Sequence, residues 1–299
     1  MIGTARRLAS RAPEDRMTHS NVQDVTIGNI TIGEGRPLAV IAGPCVIETE
    51  KLALEVAEHL KRLSEDLRFP LIYKSSYEKD NRSFETHYRG PGIQEGLRIL
   101  AKVKSATGLP VTSDVHREGD IDRAKEVLDV IQIPAYLCQQ TSLLLVAGES
   151  GQTVNVKKGQ FLAPHNIESA VSKIRSTGNR RILVTERGSS FGYNRLVSDM
   201  CAIPIMKEAG GVPVVFDATH IVRIYGIPSK DPKGGLPQYV PTLVQAGVAA
   251  GANALFLETH PDPPSALCDA ASQVRLSLMR DVLETALELA AVIRKRNLV

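Results

Sequence analysis

The sequence contains no tryptophan, and its 7 tyrosines and 6 phenylalanines amount to only 4% of 299 residues. Proteins that bind single-stranded nucleic acid stack the bases on aromatic side chains, so this scarcity is unfavourable for that function. An excess of charge of one sign is also absent: 36 Lys and Arg stand against 33 Asp and Glu, a formal net charge of +3. The sequence therefore excludes a general nucleic-acid coat, and small phosphorylated molecules suit it better than polymers.

Cysteine is scarce, and long hydrophobic runs are missing. The four cysteines are widely spaced, with no Cys-x-x-Cys pair, in a chain long enough to form its core without disulfides. No segment is long and apolar enough to predict a membrane span. We therefore expect a protein of a reducing cytoplasm, without a membrane partner.

The first residues of the chain differ in composition from the rest. They contain several Arg and Ser, as transit peptides do, but Glu14, Asp15 and the lack of an apolar run weigh against export. We expect residues 1–22 to form a disordered tail, in which Met17 is an alternative to Met1 as the native start. Residues 23–299 are expected to form a single domain, because no linker-like or charged run interrupts them.

From Pro37 onward the chain repeats one unit eight times: a short apolar run, a polar loop, and a stretch with helical periodicity. The predicted strands span 38–42, 71–75, 110–114, 130–134, 153–157, 181–185, 213–217 and 254–258. The predicted helices lie near 49–66, 93–107, 119–128, 141–148, 166–176, 197–209, 239–250 and 274–296. Strand runs that do not alternate are buried on both faces, as in a parallel sheet covered by helices. We predict an α/β fold, a (β/α)8 TIM barrel.

Two local patterns refine this prediction. The segment VQDVTIGNITIGEG alternates apolar and polar residues around Gly28 and Asn29, which predicts a short β-hairpin that closes the bottom of the barrel. A doubly wound open sheet is the alternative architecture. It would carry a glycine-rich dinucleotide loop after its first strand, and GPCVIE does not match that motif.

Residues able to bind a metal follow several predicted strands. Cys45 follows the first strand, His220 follows the seventh, and Glu258 ends the eighth, with Asp269 in the loop beyond it. Because parallel-sheet enzymes build their sites at the carboxyl ends of strands, we expect these side chains to meet. A Cys/His/Glu/Asp set suits a divalent Zn, Fe or Mn ion.

The remaining cysteines and one further histidine are given lesser roles. A buried cysteine is more often a small apolar residue than a ligand. We interpret three cysteines as packing residues, and one histidine as at most a support for a metal ligand: Cys138, Cys201, Cys268 and His260.

Anion donors follow several more of the predicted strands. The loop after the second strand is rich in them: Lys74, Ser75, Ser76, Lys79, Asn81, Arg82, Ser83 and Arg89. The third strand ends with Asp114 and His116, the fifth with Lys157 and Lys158, and the sixth with Arg187. Several cations around one metal indicate a small ligand with two anionic groups. Strand alternation directs Lys157 to the site and Lys158 to the opposite side, where it could extend toward solvent.

The chain resembles the 3-deoxy-D-manno-octulosonate 8-phosphate synthases, also called 2-dehydro-3-deoxyphosphooctonate aldolases, from about Ile27 to Val292. The resemblance rests on the order and spacing of IAGPCVIE, KSSYEKDNRS, YRGPG, SDVH, IQIPA, NVKKGQF, ERGSSFGY, FDATH and HPDP. It implies a cytoplasmic, homotetrameric (β/α)8 transferase of lipopolysaccharide precursor biosynthesis. Such an enzyme condenses phosphoenolpyruvate with arabinose 5-phosphate and water and releases inorganic phosphate.

The resemblance also implies roles for individual residues. The ligands of the metal-dependent class match Cys45, His220, Glu258 and Asp269, whereas the metal-independent class has Asn at the position of Cys45. Phosphoenolpyruvate binding is implied for Lys79, Lys157 and Arg187, which together with His220 and Asp269 form the implied catalytic set. Asp114 is a further implied substrate contact. Arabinose 5-phosphate contacts are implied for Lys74, Ser76, Asn81, Arg82 and Ser83.

Some positions depart from the pattern of that family. Gln139 and Ser142 in YLCQQTS stand where the family usually has Arg and Asp, and the loop after His220 lacks Gly-Gly-Gln-Arg. Arg223 or Lys233 could replace the missing charge. A 3-deoxy-D-arabino-heptulosonate 7-phosphate synthase would accept erythrose 4-phosphate, and it carries Lys-Pro-Arg-Ser/Thr where this chain has KDNRS. A synthase for a different aldose phosphate and a non-catalytic paralogue that binds the substrates are also compatible with these departures.

Overall fold

The computed structural model describes residues 22–82, 84–192, 194–228 and 231–296. A two-stranded antiparallel hairpin comes first, formed by β1 (Val25–Ile27) and β2 (Ile30–Ile32). Gly28 occupies its turn with φ +58°, a left-handed conformation that glycine adopts at little cost. The predicted hairpin is confirmed. The predicted tail lies outside the described residues, apart from residue 22.

Eight parallel strands form a closed barrel. Each strand pairs with its neighbours in chain order, and β11 pairs with β12 to complete the ring. The predicted (β/α)8 barrel is confirmed, with every strand boundary within two residues of its prediction. The strands are β3 (Ala39–Gly43), β4 (Leu71–Lys74), β5 (Val111–Asp114), β6 (Val130–Ile133), β7 (Thr153–Lys157), β8 (Ile182–Glu186), β11 (Val214–Asp217) and β12 (Ala254–His260).

Besides the hairpin, the described residues contain three short strands outside the barrel. β9 (Ser189–Ser190) and β10 (Leu196–Val197) form a small antiparallel pair in the loop after β8. β13 (Val274–Arg275) pairs with the end of β12. Val197 of β10 and both residues of β13 fall within stretches that the sequence pattern assigns to helices.

Helices connect the strands and cover the barrel. They are α1 (Glu50–Leu67), α2 (Ile93–Thr107), α3 (Glu118–Ala124), α4 (Thr141–Glu149), α5 (Glu168–Ser176), α6 (Ala202–Gly210), α7 (Ala218–Ile221), α8 (Val240–Ala249) and α9 (Met279–Arg296). 3-10 turns lie at Ala135–Leu137, Pro164–Ile167, Pro232–Gly234, Pro237–Tyr239, Pro263–Ser265 and Leu276–Leu278. Two predicted helices begin late, α6 at residue 202 and α9 at residue 279, because the short strands precede them.

The first helix illustrates how the sequence determines these elements. Thr49 caps α1, and its side chain accepts a hydrogen bond from the Leu52 amide at 3.1 Å. Apolar residues then recur at helical spacing, so that Val56, Leu60 and their neighbours form one buried face. The helix ends at Arg68, which adopts a left-handed conformation with φ +58°.

Side-chain alternation along the strands separates two apolar regions. On β3, Val40 and Ala42 point outward into the core beneath the helices, whereas Ala39 and Ile41 point into the barrel. The inward residues pack with the apolar side chains of the hairpin, which are Val25, Ile27, Ile30 and Ile32. The hairpin therefore closes the amino-terminal end of the barrel and leaves the carboxyl end for polar side chains.

None of the helices that the structure describes is both long and apolar enough to cross a membrane.

Candidate active site

The four predicted metal ligands are positioned by the carboxyl ends of three strands. Cys45 lies two residues beyond β3, and Glu258 lies on β12, which pairs with β3. His220 lies on α7, which follows β11 directly. Asp269 lies in the loop beyond β12 with φ +48°, a strained conformation for a residue with a side chain.

Asp269 connects the donor atoms of this cluster. Its Oδ2 lies 3.5 Å from Cys45 Sγ and 3.8 Å from His220 Nε2. The His220 Nε2 atom is in turn 3.7 Å from Glu258 Oε2. Ligand atoms at the corners of a tetrahedron with bonds of about 2.1 Å lie roughly 3.4 Å apart, close to these separations.

Two observations indicate that the donors suit a metal. Glu258 Oε2 is buried and has no hydrogen-bond partner among the described residues. His220 Nδ1 lies 2.7 Å from Asp217 Oδ2, and because a carboxylate only accepts, Nδ1 carries a proton, so that in the neutral imidazole Nε2 presents the lone pair that a metal needs. The set of one thiol, one imidazole and two carboxylates fits a divalent ion of borderline softness.

Cys45 lies next to a second cysteine that the sequence analysis assigns to packing. Its Sγ is 3.0 Å from Cys268 Sγ, and both side chains are buried. Burial, together with Cys268, raises the pKa of the Cys45 thiol well above its ordinary value. Gln273 holds the two loops together, because its Oε1 accepts from the Cys45 amide at 3.3 Å and its Nε2 donates to the Cys268 carbonyl at 2.8 Å.

Lys74 is directed to this cluster, away from the cavity wall. Its ammonium lies 2.5 Å from Glu258 Oε1 and 2.8 Å from the Cys45 carbonyl oxygen, and the side chain is fully buried. Burial opposes the charge on Glu258, but Lys74 and His220 outweigh it and lower the pKa of the carboxyl group. In this arrangement Lys74 orients Glu258.

Lys157 lies in the centre of the barrel mouth. Its ammonium is 2.7 Å from Asp217 Oδ2 and 3.7 Å from the centre of the Phe256 ring, a favourable cation–π distance. Burial lowers the pKa of Lys157, although the charge of Asp217 opposes the change. The alternation of side chains along β7 correctly directs this residue into the barrel.

A chain of buried polar groups lies beside Lys157. The ammonium of Lys79 is 2.8 Å from Asp114 Oδ2, and the Ser76 hydroxyl is 3.0 Å from the same oxygen. Burial opposes ionisation of Asp114, but Lys79 outweighs it and holds the pKa of the carboxyl group well below its ordinary value. The remaining members link neighbouring strands in the order Asp114, Gln132, Asn155 and Thr185. This chain fixes Lys79 at the cavity wall.

Above these groups opens a cavity of about 440 Å³, a volume typical of sites for small molecules. Its wall includes the predicted residues Lys79, Asn81, Arg82, Asp114, Lys157, Arg187, His220 and Asp269. Tyr136 and Tyr225 line its mouth, and Arg187 Nη1 lies 3.5 Å from the Tyr225 hydroxyl. The predicted site residues are thus largely brought together.

Arg223 also lines the cavity, on the loop that follows α7. Backbone hydrogen bonds hold its neighbours, from Ile224 N to Gly234 O at 2.9 Å and from Leu236 N to Val222 O at 3.0 Å. Its Nη2 donates to the Ile227 carbonyl at 3.4 Å, whereas Nη1 is buried without a hydrogen-bond partner in the described part of the chain. Arg223 therefore retains donor capacity for a ligand.

Besides Lys74, two of the predicted cations, Lys158 and Arg89, lie away from the cavity wall. Lys158 does not extend toward solvent: it is fully buried, 3.5 Å from Glu186, and its ammonium donates to the carbonyls of Gly159 and Leu162. Lys158 lies on the side of β7 opposite to Lys157, as expected, but the expected extension of its side chain toward solvent is wrong, because these acceptors replace water. Arg89 pairs on the surface with Glu78 and Asp80.

The positions that depart from the family pattern are also peripheral, except for Arg223. Gln139, Ser142 and Lys233 are exposed and do not line the cavity, so they bring no charge to it within this chain. His116 is half-buried outside the cavity wall, and His260 lies 3.7 Å from Glu48. Ser83 lies outside the described residues.

Comparison with known proteins identifies the family of the chain. Residues 15–294 match the model of the DAHP synthetase I family. The chain belongs to this family. It is 50% identical over 273 residues to a 2-dehydro-3-deoxyphosphooctonate aldolase of Geobacter sp. strain M21, covering 91% of this chain and 99% of that protein.

Further relatives of the family carry the same name. The protein of Geobacter sulfurreducens is 48% identical over 272 residues, 91% of this chain and 99% of the relative. That of Syntrophotalea carbinolica is 48% identical over 268 residues, 90% of this chain and 96% of the relative. Similarity therefore extends over nearly the full length of the barrel.

Asp217 and Gln273 touch the predicted ligands without being ligands, and neither is among the residues predicted for the site. Asp217 had a recognisable signal, because it ends a strand, precedes a short helix as an N-cap, and stands three residues before His220. Gln273 had no recognisable signal in the sequence. One of its partners, Cys268, is close in sequence, but the other, Cys45, is more than 200 residues away.

Proposed function

We propose that the chain condenses phosphoenolpyruvate with D-arabinose 5-phosphate and water, giving 3-deoxy-D-manno-octulosonate 8-phosphate and inorganic phosphate. The observation that carries the proposal is a cavity lined by buried cations and by His220 and Asp269, which belong to the metal-type donor groups beside it. The names of the relatives, at about half identity over nine-tenths of the chain, support the same reaction.

Lys157, Arg187 and Lys79 bind phosphoenolpyruvate in this proposal. All three line the deep part of the cavity, and Lys157 and Arg187 are nearly fully buried. Charge-assisted hydrogen bonds to the carboxylate and phosphate are strong in such a dry site. They hold the anion with its C3 carbon facing the aldehyde of the sugar.

Among the single bonds between heavy atoms, the reaction forms two, one C–C and one C–O, and breaks one, the C2–O bond to phosphate. The electron pair of the phosphoenolpyruvate double bond forms the C–C bond from C3 to the aldehyde carbon, whose oxygen takes up a proton. Water adds to C2 and loses a proton, which gives a hemiketal phosphate. The C2–O bond to phosphate then breaks and inorganic phosphate leaves with the electron pair, while the C2 hydroxyl loses its proton to the departing phosphate or to water and becomes the ketone oxygen. Fixed cations stabilise the negative charge on the phosphate throughout.

A divalent cation would be held by Cys45, His220, Glu258 and Asp269, and would supply orientation and Lewis acidity for the aldehyde or for water. A thiolate ligand weakens Lewis acidity, so orientation is the larger part of that contribution. Lys74 and Asp217 prepare the site, because they fix Glu258 and His220 in the required positions. Zn, Fe and Mn all suit this donor set.

Asn81, Arg82 and Arg223 would receive the phosphosugar at the cavity mouth. Arg82 Nη1 lies 2.8 Å from Cys268 Sγ and 3.9 Å from Asp269 Oδ1, so it borders the metal-type cluster. Arg223 offers a second guanidinium on the opposite loop. A phosphate between two guanidinium groups would satisfy both.

The most informative experiment measures phosphate release with phosphoenolpyruvate and arabinose 5-phosphate, erythrose 4-phosphate or ribose 5-phosphate in parallel. We expect the highest kcat/KM with arabinose 5-phosphate. A preference for erythrose 4-phosphate would favour the heptulosonate synthase, which remains the second candidate because it shares the family. Binding of phosphoenolpyruvate without turnover of any sugar would indicate a non-catalytic paralogue. A homotetrameric state and a cytoplasmic location stay predictions.

A further inference from the structure

Asp217 contacts both halves of the site. Its Oδ2 lies 2.7 Å from Lys157 Nζ and 2.7 Å from His220 Nδ1. Its Oδ1 accepts from the backbone amides of Thr219 at 3.2 Å and His220 at 3.0 Å, and from the Thr219 hydroxyl at 3.1 Å. With five donors and no exposed surface, this carboxylate is fixed in place.

The two partners of Asp217 Oδ2 face different ligands. Lys157 faces the cavity in which phosphoenolpyruvate is proposed to bind, and the Nε2 atom of His220 faces Glu258 and Asp269. One negative charge is therefore shared between a cation that binds an anion and an imidazole that would bind a cation. This sharing is energetically significant, because Asp217 is fully buried and solvent screens a buried charge only weakly.

Binding at one side changes what Asp217 offers to the other. The Lys157 ammonium neutralises part of the charge of Asp217. An anion that binds Lys157 competes for that ammonium, so Asp217 is neutralised less. The carboxylate then interacts more strongly with the Nδ1 proton of His220, which increases electron donation at Nε2. Conversely, a cation at Nε2 polarises the imidazole toward Asp217 and leaves more of the ammonium charge for the anion. In both directions, binding of one ligand strengthens binding of the other.

We propose that Asp217 couples the two sites, so that phosphoenolpyruvate and a divalent cation each increase the affinity of the protein for the other. The proposal rests on the proposed function, because it takes phosphoenolpyruvate as the anion at Lys157. Linkage requires that the two factors be equal, which gives an internal check. Asp217 acts here as a positioning and coupling residue and does not touch the reacting atoms.

Titration calorimetry at one fixed pH tests the coupling without turnover. Mn²⁺ is titrated into metal-free protein with and without saturating phosphoenolpyruvate, and phosphoenolpyruvate is titrated with and without Mn²⁺. We expect the Kd of Mn²⁺ to fall about fivefold or more when phosphoenolpyruvate is present, and the reciprocal factor to agree. In Asp217→Asn, which keeps an acceptor for His220 but loses the charge, the factor should fall to the small part due to direct attraction between the two ligands.

Two further variants make the result specific. Lys157→Gln removes the ammonium that pairs with Asp217 and should also reduce the coupling factor, the ratio of the Mn²⁺ Kd values without and with phosphoenolpyruvate. This variant keeps the test valid if Asp217→Asn does not fold. Glu186→Gln is the matched control, because it removes a different buried carboxylate that pairs with Lys158 at 3.5 Å, and it should retain the wild-type factor. Circular dichroism checks that each variant is folded.

Every outcome decides a point. Equal coupling in wild type and Asp217→Asn, or no coupling in wild type, overturns the role of Asp217 while the proposed function stands. An absence of phosphoenolpyruvate binding to wild-type protein overturns the proposed function and, with it, this inference. Loss of coupling in Glu186→Gln as well would show that any buried charge change has the effect, and would also overturn the specific role.

Discussion

Arg187 differs from the other deep cations because its carboxylate partners are few. Within the described residues its guanidinium contacts the Tyr225 hydroxyl at 3.5 Å, and its side chain lines the cavity with 8% exposure. Lys157 and Lys79, by contrast, are each paired with an aspartate. The charge of Arg187 is therefore the most available for a ligand.

Replacing Arg187 should thus affect phosphoenolpyruvate directly. We expect Arg187→Ala to lower kcat/KM for phosphoenolpyruvate by about 2–4 kcal/mol of transition-state stabilisation, or roughly 30- to 1000-fold. Lys157→Ala should give a loss in the same range. Steady-state kinetics of phosphate release provide the measurement, with Arg62→Gln on the outer face of α1 as control. Near-wild-type efficiency in either alanine variant would show that its role is misassigned.

Arg223 is expected to act on the sugar. Its Nη1 has no partner in the described structure, so a phosphate could bind it without breaking an existing contact. Arg223→Gln should raise the KM for arabinose 5-phosphate by about tenfold or more, with a smaller change in kcat, because a charge-assisted contact becomes neutral. Arg223→Lys should recover part of the loss. An unchanged sugar KM together with a raised KM for phosphoenolpyruvate would assign the residue to the other substrate.

Metal removal is the test of the donor cluster. Chelation should abolish turnover, and a divalent metal should restore it, because Cys45, His220, Glu258 and Asp269 then lose and regain their common partner. Elemental analysis must accompany the assay, since full activity in verified metal-free protein would contradict the prediction. Cys45→Asn should recover metal-independent activity only in part, because Asp217 and Lys74 still serve a metal site.

For individual residues, the sequence indicates which side chains meet in the site, but not which neighbouring groups hold them in position. His220, Glu258 and Asp269 could be expected together because strand ends converge on one rim. The pairing of Lys74 with Glu258, the burial of Lys158 and the contact between Cys45 and Cys268 depend on side-chain directions in loops. Those directions follow from packing between segments far apart in the chain.

The spacing between β3 and β4 is set by a glycine. Gly43 has φ +155°, and a β-carbon there would lie 2.0 Å from the Lys74 carbonyl oxygen. Such an approach requires backbone movement, since a carbonyl in a strand has no flexible end to yield. Any movement would reach Cys45 and Lys74, which flank this contact.

Gly43→Ala should therefore destabilise the fold strongly. We expect the free energy of unfolding to fall by roughly 3–5 kcal/mol from the clash and the unfavourable φ, together with weaker metal binding. Gly35→Ala is the matched control: φ is +67° and no atom lies within 4 Å of the added carbon, so only about 1 kcal/mol is expected. Urea unfolding gives both values. Equal losses in the two variants would show that the close approach to Lys74 is not the cause.

Periodicity in the sequence predicts the barrel strands and most helices, but it does not predict β10, β13 or α7. The predicted helices begin at residues 197 and 274, yet Val197 belongs to β10 and Val274–Arg275 forms β13, because partner strands are available. The four-residue helix α7 is too short to give a periodic pattern. Tertiary pairing outweighs local propensity where the two short strands form.

The whole molecule has two distinct ends. The hairpin closes the amino-terminal end of the barrel through apolar contacts, and the cavity opens at the carboxyl end. In barrels of this kind the first end contributes to stability and the second carries the chemistry. The eight-fold repeat in the sequence predicts this layout, because it fixes the direction of every strand.

Truncation tests the contribution of the first end. Removing residues 1–21 should leave Tm and kcat unchanged, because the composition of this segment predicts a disordered tail. Removing residues 1–33 deletes the hairpin and exposes inward apolar side chains at the base of the barrel, such as Ala39, Val215 and Ala254. We expect that variant to melt at least ~10 °C lower or to aggregate. A lower Tm after removal of residues 1–21 alone would contradict the proposed domain boundary.

The distance between the hairpin and the cavity also bears on how this protein could change over generations. Substitutions that share no neighbours act nearly independently, so residues around the hairpin and residues around the cavity mouth can vary without penalising each other. A directed-evolution experiment could first accumulate stabilising changes at the hairpin and then tolerate disruptive changes near Arg223 and Tyr225. Laboratory lineages in which sugar preference drifts while the hairpin stays constant are the course that this architecture favours.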